Sequence, residues 1–156
     1  MEREIIFRGK RTDKGEWVEG SLVQMLVDGR IASCIAPIEE VGRANKDVPP
    51  MGILYTLNKD IFIVHPDTIG QYTGMIDKNG NKIFEGDILE NHHPSEDVAR
   101  HKVKFEVGMG CYVAILLIGP LAGFFFPFGQ SWIENYDKVI VGNIHDNPEL
   151  LKGGDQ

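Results

Sequence analysis

Cysteine is scarce in this sequence: Cys34 and Cys111 are the two among its 156 residues, and they lie far apart. Two cysteines exclude a framework of several disulfides and a metal site of four thiolates. A secretory signal is also lacking, because charged residues interrupt the apolar ones throughout Met1 to Lys10. We therefore expect a protein of the reducing cytoplasm.

An excess of positive charge is lacking as well, since the formal net charge is -7 at pH 7. This balance argues against a protein whose whole surface follows phosphate backbones, because non-specific nucleic-acid binding needs many lysine and arginine contacts. This charge balance still allows a local basic patch on the surface. The composition is otherwise that of an ordinary globular protein, with 42% hydrophobic and 25% charged residues.

A long unbroken hydrophobic run is the third absence. The most apolar stretch, Cys111 to Phe128, approaches the roughly 17–25 residues that cross a bilayer as a helix. Gly119, Pro120 and Gly123 divide it, so we predict a buried strand followed by an aromatic loop, and no membrane association. Alternatively, the loop lies at a protein–protein interface, because so many large apolar side chains rarely stay exposed on a monomer. Its aromatic residues are Phe124, Phe125, Phe126 and Phe128.

What the sequence does contain is a short alternation of apolar and polar residues with turn signals at close intervals. This pattern predicts a mainly β fold of antiparallel hairpins. Glu4 to Arg8 and Trp17 to Val23 predict the first hairpin. Asp28-Gly29 predicts a type I′ turn between two further strands, Val23 to Val27 and Arg30 to Ile35.

The next segments indicate a fold in two parts. A long loop is predicted over 37–54, with a helical turn at Ile38–Val41, and a short strand over Asp60–Val64. Asp67 to Thr73 is polar and predicted to be turn-like, which places a boundary near residue 66. We expect an N-terminal β subdomain at 1–66, a small barrel-like β subdomain at 67–151 and a frayed tail at 152–156.

The second part is predicted to hold five strands and a short C-terminal helix, with Asn147 as N-cap and Pro148 at the first helical position. Glu85-Gly86-Asp87 resembles strand starts in small barrels, since Gly86 permits an unusual backbone conformation and Asp87 can accept local N–H groups. The predicted strands are Lys82–Phe84, Asp87–Glu90, Lys102–Val107, Tyr112–Ile118 and Lys138–Ile144.

The sequence carries no catalytic motif. His92, His93, His101 and Cys111 are residue types that bind zinc, but their spacing matches no zinc framework, so an exposed loop with incidental histidines is the simpler interpretation. The segment from Asp77 resembles a calcium loop without its last glutamate, which favours turn formation. Phosphate loops and nucleophile elbows do not occur. We predict a non-enzymatic protein with no metal and no cofactor.

Sequence segments at both ends and in the middle of the chain resemble a known family. They are Arg3–Arg11, Gly15–Leu22, Val64–Leu89 and Val141–Leu151. Together these stretches resemble the YopX family of phage and prophage proteins, and the central one is the most specific. The resemblance implies a mainly β, two-part fold, an origin in a phage or integrated element of a bacterial cell, and a homo-oligomer. It implies no activity and no catalytic residues.

We therefore expect a phage-encoded accessory protein in the cytoplasm of the bacterial host. Its biochemical function is unknown, and we expect it to self-associate and to bind a phage or host protein. Aromatic side chains dominate binding energy at interfaces, so four aromatics are the predicted contacts, together with the carboxylate of one strand start. These residues are Trp17, Tyr72, Phe125, Trp132 and Asp87.

Two alternatives remain open from the sequence. The first is a nucleic-acid-binding small β-barrel with Trp17 and Tyr72 stacking on bases, suggested by a basic N-terminal hairpin. The basic residues of that hairpin are Arg3, Arg8, Lys10, Arg11 and Lys14. The second is a hydrolase or metal-dependent enzyme, with a carboxylate acting beside a histidine. Its candidate residues are Asp77 or Asp87 with His92 or His93.

Overall fold

The structure is a computed structural model that describes residues 4–37, 61–92 and 98–152. The helical turn predicted at 38–41 falls outside these ranges, as does nearly all of the loop predicted at 37–54. His93 and most of the predicted frayed tail also lie outside the described residues.

The described chain is mainly β, as the alternating pattern predicted. Its strands form antiparallel sheets, accompanied by one short α-helix, α1 (Gln130–Asn135), and two 3-10 helices, Pro66–Thr68 and Pro148–Leu151. The strands are β1 (Phe7–Lys10), β2 (Trp17–Val27), β3 (Arg30–Ala36), β4 (Phe62–Ile63), β5 (Gly70–Ile76), β6 (Lys82–Phe84), β7 (Asp87–Asn91), β8 (Arg100–Glu106), β9 (Cys111–Leu116), β10 (Phe125–Pro127) and β11 (Lys138–Asn143).

The chain divides into two compact units, Met1–Gln71 and Tyr72–Gln156. The boundary predicted from the sequence lies near residue 66. The division falls inside β5. The first residues of β5 pair with β1, and its later residues pair with β6.

Two hairpins build the N-terminal unit where the turn residues predicted them. β1 pairs with the first part of β2, up to Gly20, and β2 pairs with β3 along every residue from Ser21 to Val27. Asp28 and Gly29 adopt positive φ angles of 49° and 76°, which is the geometry of a type I′ turn. Both hairpins predicted from the sequence are therefore confirmed.

The core of the N-terminal unit leaves no room for a side chain at Gly20. Its buried apolar residues are Ile6, Cys34, Ile35, Ala36 and Val64. Gly20 lies so close to β3 that a Cβ atom there would overlap the carbonyl oxygen of Ala36. The glycine is thus required by the close approach of two backbones, which cannot move apart without breaking the strand pairing.

The strand β5 corrects the sequence prediction, which described Asp67 to Thr73 as turn-like. Gly70 and Gly74 have little local preference for a strand, and they hide the alternation. Long-range contacts hold the strand instead: the Thr73 hydroxyl donates to the carbonyl of Ile83 at 2.8 Å, and the Tyr72 ring lies 5.7 Å from that of Phe84.

The C-terminal unit contains a sheet with the strand order β10-β9-β8-β7-β11. One face of this sheet packs on α1 through a cluster of buried residues. The cluster consists of Ile83, Leu89, Val103 and Ile133. Helix α1 was not predicted, and Gln130 at its start is bound to Ile76: the Gln130 amide accepts from the Ile76 N–H and donates to the Ile76 carbonyl, both at 3.2 Å.

The sheet does not close into a barrel, which corrects the barrel-like prediction. Closure would require β10 to pair with β11. The outer edge of β11 is occupied by the turn that follows β5, because Lys78 donates its N–H to the Lys138 carbonyl at 2.9 Å and Ile140 donates to the Asp77 carboxylate at 3.2 Å. β10 presents Pro127, which has no N–H to donate.

Two further predictions for this unit are corrected. The predicted aromatic loop contains the short strand β10. The predicted C-terminal helix is a 3-10 helix, Pro148–Leu151, and the Asn147 side chain does not cap it. Asn147 instead accepts the backbone N–H of Asn143 at 3.3 Å, so it closes the turn after β11.

We predict that Gly20→Ala destabilises the protein by about 3 kcal/mol, because the added methyl must displace the β3 backbone rather than a side chain. The free energy of unfolding measured with urea tests this. Gly108→Ala is the control, since the nearest atom to its Cβ is the Glu106 Oε1 at 3.7 Å. Equal stabilities for the two variants would contradict the prediction.

Candidate functional site

Asp77 is a buried carboxylate that binds four N–H groups. It accepts the backbone N–H of Asn79 at 2.9 Å, the backbone and side-chain N–H groups of Asn81 at 2.8 and 3.1 Å, and the backbone N–H of Ile140 at 3.2 Å. Burial acts to raise the pKa of Asp77, but these hydrogen bonds, first that of the Asn81 side chain, hold it below its usual value. Asp77 therefore fastens the Asn-Gly turn to the edge of β11.

Asp87 has a similar local role. Its side chain is buried, and one carboxylate oxygen accepts the backbone N–H of Phe84 at 2.7 Å. Gly86, between them, has a φ of 87°, which only glycine adopts easily. The Glu-Gly-Asp strand start predicted from the sequence is thus a tight turn closed by its own carboxylate.

The metal-site and hydrolase alternatives draw no support from this placement. His92 is exposed, and its Nε2 lies 3.9 Å from Glu90 Oε1. Within residues 4–37, 61–92 and 98–152, no three histidine, cysteine, aspartate or glutamate side chains converge as metal ligands would. Asp77 and Asp87 use their oxygens on backbone N–H groups.

Two of the predicted contact aromatics are partly or wholly covered. Trp17, at the start of β2, lies under the Arg8 guanidinium, whose carbon is 4.9 Å from the ring centre. Tyr72 is buried against Phe84, and the Lys82 ammonium lies 5.4 Å from its ring. Trp17 belongs to the N-terminal unit and Tyr72 to the C-terminal unit.

A buried pair of basic side chains lies within the C-terminal unit, and it was not among the residues predicted from the sequence. Lys138 and His101 are both buried, with the Lys138 Nζ 3.4 Å from the His101 Nδ1. Because an ammonium group can only donate, Nδ1 must be the unprotonated nitrogen of a neutral imidazole. Burial first, and then the positive charge of Lys138, lower the pKa of His101 to about 4.

Aromatic rings enclose this pair. The Lys138 ammonium lies 4.8 Å from the Trp132 ring and 5.8 Å from the Tyr136 ring, which are cation–π contacts. The centre of the His101 ring lies 5.1 Å from that of Trp132 and 5.5 Å from that of Phe126, and both contacts are T-shaped. The rings bury a charge at low cost and in doing so fix the inner face of β10 through Phe126.

A spacing in the sequence could have revealed this arrangement. Phe128, Trp132 and Tyr136 are four residues apart, which places them on one face of a helical segment. Their rings follow one another at 6.3 and 6.1 Å. Pro127 and Gly129, on either side of Phe128, hide the pattern because both residues interrupt helices.

Two exposed aromatic side chains lie at the start of β10. Phe124 and Phe125 are 62% and 53% exposed, whereas Phe126 turns inward to His101. Phe125 lies opposite Ile115 of β9. We call Phe124 and Phe125 the outer aromatic pair.

The backbone at this edge is poorly suited to accept another strand. Phe124 accepts the N–H of Leu116 from β9, so the alternation of the strand directs the N–H and carbonyl groups of Phe125 and Pro127 outward. Pro127 has no N–H to offer, and β10 is three residues long. A partner at this edge would therefore be held by side chains rather than by strand pairing.

A family model described as YopX protein matches residues 6–152. The chain belongs to the YopX family. The resemblance found in separate stretches of the sequence is thus confirmed over nearly the whole chain. None of the curated proteins matches the sequence.

One solved structure similar to this family member is the crystal structure of protein EF1440 from Enterococcus faecalis. It shares 26% sequence identity, covers 97% of this chain and 100% of its own, and superposes with a TM-score of 0.56. Among the described residues, no helix is both long enough and apolar enough to cross a membrane.

We predict that Asp77→Ala lowers the free energy of unfolding by about 3 kcal/mol, because four N–H groups lose their charged acceptor at once. Asp67→Ala is the matched control, since Asp67 is exposed in the 3-10 helix before β5. Urea or thermal unfolding measures the free energy of unfolding of each variant. Equal small losses of this free energy in Asp77→Ala and Asp67→Ala would contradict the prediction.

We predict that acid destabilises the protein through His101. Its pKa falls from 6.5 in the unfolded chain to about 4 in the folded one, so the unfolded chain binds more protons between these values. The stabilisation is complete above pH 6.5 and is lost as the pH falls toward 4, by about 3 kcal/mol. Urea unfolding across this pH range measures it.

The control variant is His101→Asn, whose amide oxygen can accept from Lys138 but does not titrate. Its stability should fall less steeply than that of the natural protein between pH 6.5 and 4, while Asp77 still contributes in both. Identical slopes would show that His101 does not cause the loss.

Proposed function

We propose that this protein is a non-enzymatic accessory protein of a phage or prophage, acting in the bacterial cytoplasm by self-association and by binding a macromolecular partner. Its membership of the YopX family supports the viral origin through what the family resemblance implies. The observation that carries the proposal is the outer aromatic pair, two consecutive exposed phenylalanines, of which Phe125 opens β10 and Phe124 precedes it.

A fixed support matters because an anchor that is already ordered loses little conformational entropy on binding. Phe126 is held against His101, and His101 against Lys138 and Trp132. The adjacent Phe125 is therefore presented by a backbone with packing and ladder contacts behind it. Exposed aromatics on rigid supports are typical of interface hot spots.

The buried polar groups support a non-enzymatic role. Asp77 and Asp87 bind backbone N–H groups, and the pair of Lys138 and His101 is covered by Phe126, Trp132 and Tyr136. Each group has a structural task and little access to a substrate. General acid–base catalysis needs such groups within hydrogen-bond reach of the reacting molecule.

The nucleic-acid alternative is less well supported by the charges. Several basic side chains are paired with carboxylates, which leaves less positive charge for phosphates. The pairs are Arg11 with Asp13 and Glu16, Lys78 with Asp137, Arg100 with Glu90, and Lys104 with Glu106.

We predict that Phe125→Asp reduces the mass of the oligomer in solution. A carboxylate in the outer aromatic pair would lose its hydration at the interface, which costs free energy. Light scattering during size-exclusion chromatography measures the mass. Val107→Asp is the matched control, since Val107 is 83% exposed in the turn at the opposite end of β9.

The expected result is a smaller mass for Phe125→Asp and an unchanged mass for Val107→Asp. Equal masses for both variants and the natural protein would remove the outer aromatic pair from the self-association surface. Both substitutions are at exposed positions, so we expect each variant to keep its fold. Circular dichroism of each variant checks this.

A further inference from the structure

The hairpin of β2 and β3 extends beyond the strands that flank it. On one side, β1 pairs with β2 no further than Gly20, and on the other, β4 pairs with β3 at Cys34 and Ile35. No strand of the described residues pairs with β2 from Ser21 to Val27 on its outer side. A two-stranded ribbon is only marginally stable in water without a further partner.

The register shows which backbone groups this edge presents. Val27 and Arg30 flank the two-residue turn and form a hydrogen-bonded pair, so alternate residues of β2 direct their N–H and carbonyl groups to the other side. Leu22, Gln24 and Leu26 therefore offer their backbone groups outward.

Within residues 4–37 and 61–71, this edge has none of the features that protect the edges of the C-terminal sheet. There, Pro127 removes a donor on β10, and Asp77 with Lys78 occupies the edge of β11. The segment from Ser21 to Val27 contains no proline and no charged residue, and Leu26 is 75% exposed. Such an edge is a template for strand pairing.

The sequence of the edge complements itself. Read in either direction from Gln24, it gives Val23 or Met25, then Leu22 or Leu26. An antiparallel copy centred on Gln24 would place Leu22 opposite Leu26 and Val23 opposite Met25, with Gln24 opposite itself. A two-fold symmetric contact requires this self-complementarity.

The charge balance also favours a second copy at this place. Two chains of net charge -7 repel each other in general. The segment from Ser21 to Val27 is uncharged, so pairing along it brings no like charges opposite each other.

We propose that a second copy of this chain binds along the outer edge of β2, antiparallel to it and with the two-fold axis at Gln24. Leu22, Gln24 and Leu26 of each copy donate and accept backbone hydrogen bonds across the axis. This inference rests on the self-association proposed above and assigns one contact of it, which is separate from the outer aromatic pair.

The test uses opposite charges at the position that meets itself. Gln24→Lys and Gln24→Glu each place like charges opposite each other, so each variant alone should dimerise about tenfold more weakly through this contact. An equal mixture of the two places Lys opposite Glu and should regain the association of the natural protein. Light scattering at several concentrations measures each sample.

Two controls keep the result specific. Gln24→Ala removes the side chain but no backbone group, so it should associate as the natural protein does. Val107→Lys and Val107→Glu carry the same charges at an exposed site of the other unit and should leave the mass unchanged, alone or mixed. All these sites are exposed, so the variants should fold.

The outcomes separate this contact from the proposed function. Weak association of each Gln24 variant, with recovery in the mixture, supports pairing at Gln24. Unchanged masses for both, in a protein whose mass falls with Phe125→Asp, would overturn the β2 contact and leave self-association standing. A monomeric natural protein at all concentrations would overturn both.

Discussion

The C-terminal unit depends on one buried carboxylate. Asp77 collects N–H groups from the Asn-Gly turn and from β11, two segments about sixty residues apart in the chain. A carboxylate at this place satisfies several donors that would otherwise be buried without acceptors, which is more costly than the burial of one hydrogen-bonded charge. The same contact occupies the edge of β11 and keeps the sheet open, and an open sheet leaves β10 as an accessible edge with its outer aromatic pair.

The treatment of strand edges distinguishes the two units. The C-terminal unit protects its edges with a proline on β10 and a turn along β11, so that side chains are what a partner can contact there. In the N-terminal unit, β2 beyond Gly20 is uncharged, and no described strand pairs with its outer edge. An unprotected strand edge either promotes aggregation or serves as a binding site, and the self-complementary sequence of β2 favours a binding site.

The parts of this fold that could be predicted from the sequence are those held by local chemistry. Asp28-Gly29 sets its own turn, and the strands on either side follow from alternation. β5 and α1 could not be predicted in this way, because Thr73 is held by Ile83 and Gln130 by Ile76, partners that a local pattern does not reveal. The residues of the candidate site differ in the same way, some being predictable from local sequence and others not. Phe125 was recognised as unusual for a loop, whereas His101 and Lys138 form a site only once β8 and β11 lie in one sheet.

The pairing of β1 has a consequence for synthesis of the chain on the ribosome. Phe7 and Arg8 pair on one side with β2, about a dozen residues later, and on the other with Gln71 and Gly70. Contacts between near neighbours in sequence form quickly, while those across a long loop must wait for its end. The hairpins of β1, β2 and β3 can therefore form as soon as they emerge, but the outer edge of β1 stays open until β5 has been made. For that interval the nascent chain carries an unfinished sheet, and only translation past residue 71 completes it.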